Sequence, residues 1–106
     1  METSHYVLGG QYEVKTAAHE MRMSLWVYAP IILERATQKR VLDLSHGPWD
    51  LRRLGEDDGR IVLTLARYPE GGREHVVEVD PSQGIAIVEG VMHPLGEIDA
   101  ALAAIA

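Results

Sequence analysis

A chain of 106 residues is long enough for one domain and too short for two, so residues 1–106 are read as a single unit with its own core. It has no cysteine, which excludes disulfides and thiolate chemistry, and its 46% hydrophobic and 25% charged residues are ordinary for a globular protein. The net charge of −6 is uneven: residues 1–53 carry +1 and residues 54–106 carry −7, which argues against nucleic-acid binding and fits a basic protein partner.

Met1–His5 lacks the basic and apolar regions of a signal peptide, so a cytoplasmic location is expected. Residues 5–16 read as one or two short strands, broken or bulged at Gly9-Gly10, and Thr16–Glu20 as a connection. Met21–Tyr28 is the most apolar strand, apolar on both sides over its far half and so expected to be buried on both. Pro30 cannot donate to a ladder and is expected at a corner or edge. The longest uncharged apolar run, Ser24–Leu33, is too short to span a bilayer, and no membrane association is expected. Ile31–Ala36 and Arg40–Leu44 read as a hairpin turning at Thr37-Gln38-Lys39, and Ser45–Pro48 as a loop.

Trp49–Gly90 reads as a four-strand meander: Trp49–Gly55, Arg60–Tyr68, Glu74–Asp80 and Ile85–Glu89. Turn chemistry separates the strands at Glu56–Gly59, Tyr68–Arg73 and Asp80–Gly84. Keeping apolar residues together sets Leu65 opposite Val77 and Leu63 opposite Val79, then Val77 opposite Ile87 and Val79 opposite Ile85. The first hairpin sets Leu51 opposite Leu63 and Trp49 opposite Leu65. The other face, with Val62, Val76, Ala86 and Val88, is smaller and mixed. Beyond it, Leu95, Ile98, Leu102 and Ile105 recur at helical spacing, predicting a short helix at about 95–105.

The resulting fold is mainly β: an antiparallel meander of 7–8 strands forming a curved sheet or partly open barrel, with one short C-terminal helix. The order of elements resembles that of pleckstrin-homology-like domains in layout alone.

No phosphate loop, dinucleotide fingerprint or nucleophile elbow is present, and the five histidines, at 5, 19, 46, 75 and 93, have no metal-ligand spacing. No cofactor, metal or catalytic residue is therefore expected. Asp43, Ser45 and His46 are the right residue types for a triad, but sequence neighbours lack its geometry. Met21 and Met23 are read as core fillers.

The residues that stand out are Trp49, Arg67, His75 and Glu89. One pair beyond Leu65–Val77–Ile87, the same register sets Arg67 opposite His75 and His75 opposite Glu89, at the end of the apolar face near Trp49. The row reads either as a solvated rim or, with Trp49, as the polar end of a ligand or partner site, and under either reading His75→Ala and Arg67→Ala leave stability nearly unchanged.

Two functions follow. One is a binding protein, inhibitor-like or antitoxin-like, for a basic protein target. The other is a small-ligand-binding barrel, or minor enzyme, using a pocket near Trp49. Apolar surface on the meander and on Met21–Tyr28 also points to a homodimer.

Overall fold

The computed structural model describes residues 3–20, 26–45, 47–68 and 73–105. They form two antiparallel sheets, each built from consecutive strands. The first sheet is β1 (Thr3–Val7), β2 (Tyr12–Glu20), β3 (Trp26–Glu34) and β4 (Lys39–Asp43), in that order. The second is β5 (Trp49–Asp57), β6 (Arg60–Arg67), β7 (Glu74–Asp80), β8 (Ile85–Val88) and β9 (Val91–Pro94). A 3-10 turn at Leu95–Glu97 leads into helix α1 (Ile98–Ile105). The sheets curve around one core without closing into a barrel.

Local chemistry places the reversals. Asp58 (φ 49°) and Gly59 (φ 78°) take consecutive left-handed conformations, the backbone of a two-residue hairpin whose twist matches its strands. In the turn after β7, the Asp80 carboxylate accepts from Ser82 Oγ (2.8 Å) and from the Gln83 N–H (3.2 Å). Glu89 (φ 48°) and Gly90 (φ 84°) form a second two-residue turn, so a further strand, β9, follows where none was expected. Glutamate is a weak turn signal, and only Gly90 hinted at the reversal.

The observed registers correct the expected ones. β6 and β7 pair Leu63 with Val77, Ile61 with Val79 and Leu65 with His75, two residues from the Leu65–Val77 and Leu63–Val79 pairs. β5 and β6 pair Trp49 with Arg67 and Leu51 with Leu65, not Trp49 with Leu65 and Leu51 with Leu63. A shift of two keeps every side chain on its face, so both registers bury the same set. A bulge at Arg52 then brings Leu54 opposite Leu63.

The β7–β8 correction is larger. Val77 lies opposite Val88 and Val79 opposite Ala86, replacing Val77–Ile87 and Val79–Ile85. This exchanges the faces of β8: Ala86 and Val88 are buried, while Ile85 and Ile87 turn outward and are half-buried. Helix α1 packs against β8 and β9, and its Ile98, Ala101 and Leu102 join the same core, so the smaller pair fits beneath it.

In the first sheet, Leu8–Gln11 form a turn between β1 and β2. β2 runs through Thr16–Glu20, expected as a connection, because its pairing with β3 continues to Glu20 opposite Trp26. Pro30 is buried inside β3, opposite Thr16. Its carbonyl accepts from the Leu44 N–H at 3.0 Å, and the reciprocal donor is the one that proline lacks. The β3–β4 ladder accordingly ends one pair away, at Ile31 opposite Asp43. The earlier part of β3 runs beside β5, where the Tyr28 N–H donates to Asp50 Oδ1 at 2.8 Å. β3 is buried on both faces, by Val27, Ala29 and Leu33 on one and Pro30 and Ile32 on the other. Met21–Leu25, including the two methionines read as core fillers, lie outside the described residues, as do 69–72 of the Tyr68–Arg73 turn.

Candidate functional site

Trp49 opens β5 after Gly47 and Pro48. A Cβ at Gly47 would lie 3.4 Å from Trp49 Cδ1, so this loop packs directly on the indole. The Tyr68 N–H donates to the Pro48 carbonyl at 2.8 Å and ties this loop to the end of β6. Trp49 is buried, and the His75 ring stands edge-on to it, with centroids 5.7 Å apart and planes at 85°.

His75 is only 3% exposed. Its Nδ1 is hydrogen-bonded to Glu89 Oε1. An ionised carboxylate only accepts, so the imidazole donates from Nδ1. Arg73 Nη2 lies 3.7 Å from Glu89 Oε2. The hydrogen bond from His75 holds the Glu89 carboxyl below its ordinary value of 4.5. Desolvation opposes that shift, and the charges of His75 and Arg73 assist it.

The structure thus brings together Trp49, His75 and Glu89, and keeps Arg67 beside Trp49 but away from His75 and Glu89. His75 lies opposite Leu65, and Arg67 lies exposed opposite Trp49, because of the two-residue register difference. Arg67 lines a cleft of about 200 Å³ with Gly47, Pro48, Trp49, Asp99 and Ala103, below the usual size of a small-ligand pocket. The cation that reaches Glu89 is Arg73, which alternation along β7 would have placed on the same side as His75.

A depressed carboxyl pKa sets a pH dependence. A group with a lower pKa folded than unfolded contributes stability above the unfolded value, and this is lost as pH falls through the folded one. For Glu89 the loss begins near 4.5 and continues below it. Thermal melts of the wild type and of Glu89→Gln between about pH 6 and 3 should converge as the pH falls. A constant gap between the two curves would remove the carboxylate from the account.

The Asp43 Oδ1 accepts from the Ser45 N–H (2.9 Å) and from Ser45 Oγ (2.5 Å), which commits that hydroxyl to a turn; His46 lies outside the described residues. Among the described residues, no group of three or more His, Cys, Asp or Glu could hold a metal ion.

The outer face of the second sheet is different in character. Register places Val62, Glu78, Ile87 and Met92 in one row across it, with Thr64 and Val76 in the next. Val76 is 47% exposed and Met92 62% exposed. Arg60 lies between Glu78 (3.6 Å) and Asp80 (3.8 Å), and Arg53 Nη2 meets Glu74 Oε1 at 2.5 Å. Among the described residues, no helix is long and apolar enough to cross a membrane. Compared with protein-family models, curated proteins and solved structures, the chain matches none.

Proposed function

We propose that this domain is a protein-interaction factor, inhibitor-like or antitoxin-like, that docks a basic protein on the outer face of its second sheet. The observation that carries the reading is the exposed Val76 and Met92 beside a surface rich in carboxylates. Two of the cations on that face, Arg53 and Arg60, are already paired with Glu74, Glu78 and Asp80, and residues 54–106 carry −7. A cationic partner would find apolar contact on this face, and the excess of carboxylates over arginines in residues 54–106 would draw it in.

The face supports docking better than the edge does. In a two-residue hairpin the flanking residues, here Val88 and Val91, exchange both ladder bonds, so Met92 and Pro94 are the outward positions of β9. Pro94 has no N–H, which leaves Met92 as the single outward donor on this edge. A second copy of the chain is the alternative occupant, since an apolar patch can meet its own copy across a two-fold axis, but it would bring carboxylates against their own kind.

Affinity capture from the native cell, with mass spectrometry, should retain a basic protein that elutes as salt rises. The double substitution Val76→Lys, Met92→Lys should abolish that retention. Light scattering at high micromolar concentration separates the alternative: a dimer that the same substitutions dissociate would assign the face to self-association. Retention unaffected by them would remove the face from the function.

A further inference from the structure

We propose that the cleft between the first sheet and the bulge of β5 binds a small organic anion, with its carboxylate or phosphate group held by Arg52 and Arg53. In the first sheet, pairing and alternation place His5, Thr16 and Tyr28 on the face that carries Val14 and Ile32, which turns toward the second sheet. Inner-face positions are ordinarily aliphatic. Here three successive strands offer an imidazole, a hydroxyl and a phenol, and all three line one cleft of about 390 Å³. That volume is within the range of small-ligand sites.

The opposite wall is the bulge. The extra residue between Leu51 and Arg53 returns Leu54 to the core side, so two consecutive arginines lie at the cleft with Leu51 and Leu54 as an apolar floor. No carboxylate lines the cleft among the described residues, an exception on a chain with a net charge of −6. Asp50 borders it, bonded to two of its lining residues: its Oδ1 accepts from the Tyr28 N–H (2.8 Å) and its Oδ2 from Arg52 Nε (2.7 Å). This contact uses Nε and leaves both η nitrogens of Arg52 to donate, in the fork that suits carboxylate and phosphate oxygens. Arg53 gives one Nη2 contact to Glu74 and keeps its other donors. The head group is therefore anionic, and the body is small and apolar, seated on Leu51, Leu54 and the Tyr28 ring.

The test is an NMR titration of the whole domain with phenyl phosphate, with benzoate and with uncharged benzyl alcohol, at physiological salt. At least one anion should shift the amides of His5 and Leu51–Leu54 saturably, with Kd below about 1 mM, and benzyl alcohol should bind at least about tenfold more weakly. The tighter of the two anions identifies the head group. Arg52→Gln should weaken binding by about tenfold or more with an unchanged melting temperature, and Arg53→Gln provides the same comparison should the first variant lose its fold. The proposal is overturned by no saturable shift up to about 10 mM, by benzyl alcohol binding equally well, by shifts centred on Lys39, Arg40 or Arg67, or by unchanged affinity in folded Arg52→Gln or Arg53→Gln.

Discussion

Leu63→Ala is expected to destabilise the domain by about 2–4 kcal/mol. Leu63 is fully buried on β6, with Leu54 opposite it on one side and Val77 on the other. Its side chain enters the core shared by both sheets and α1. Ladders on both sides hold the backbone of β6, so the strand cannot move inward to fill the space that alanine leaves. The cost is then the lost transfer free energy plus most of the cavity term. For a domain of this size it corresponds to a fall in melting temperature of roughly 4–8 °C per kcal/mol. Val76→Ala, on the outer face of the neighbouring strand, is the control and should cost under about 1 kcal/mol. Equal effects from the two substitutions, measured by urea and thermal unfolding, would mean that the inner face is not the closely packed one.

His75→Ala is expected to cost about 2–3 kcal/mol, which replaces the near-neutral effect that a solvated rim predicts. The reason is burial: at 3% exposure, His75 belongs to the packed interior. Alanine removes the ring that stands edge-on to Trp49 and takes the donor from Glu89. Glu89 is partly open to water, so solvent makes good some of the lost hydrogen bond, and the cavity beside the indole dominates. His75→Phe separates the two effects. It keeps an aromatic ring, somewhat larger than the imidazole, and loses the donor; it should cost less than His75→Ala while letting the Glu89 carboxyl return toward its ordinary pKa. Arg67→Ala, on an exposed residue, should remain near neutral. Denaturant titration compares the three variants, and an unchanged midpoint for His75→Ala would contradict the packing described for Trp49.

What was legible in the sequence was the meander, its turns at Asp58-Gly59 and Asp80–Gly84, and the inner face of β5, β6 and β7. Register was less so, for a physical reason. Leu63 opposite Val77 and Leu65 opposite Val77 bury the same residues, so hydrophobic pattern cannot separate them, and the length of the connection decides. On β8 both faces are apolar. Ile85 and Ile87 are larger and looked like the core set, but a packed helix favours Ala86 and Val88. The His75–Glu89 contact was anticipated through a ladder that does not exist there: Glu89 belongs to the following turn, and its N–H donates to the Val76 carbonyl at 3.4 Å. The arginines of β5 are not marked by the sequence, because alternation alone gives no bulge, and without one Arg52 is an ordinary outward residue.

The order of strands has a consequence for how the molecule is assembled. Among the described residues every strand pairs only with its neighbours along the chain, so β1–β4 make one sheet and β5–β9 the other, with one stretch of chain between β4 and β5 joining them. Each half closes its backbone bonds through successive hairpins without waiting for the other. Such short-range contacts favour rapid folding, with docking of the two inner faces as the step that joins distant segments. A backbone cut within Ser45–Pro48 should therefore leave two fragments that recombine on mixing. Their association constant would measure directly how strongly one sheet holds the other, a quantity that the intact chain conceals behind the high effective concentration its tether imposes.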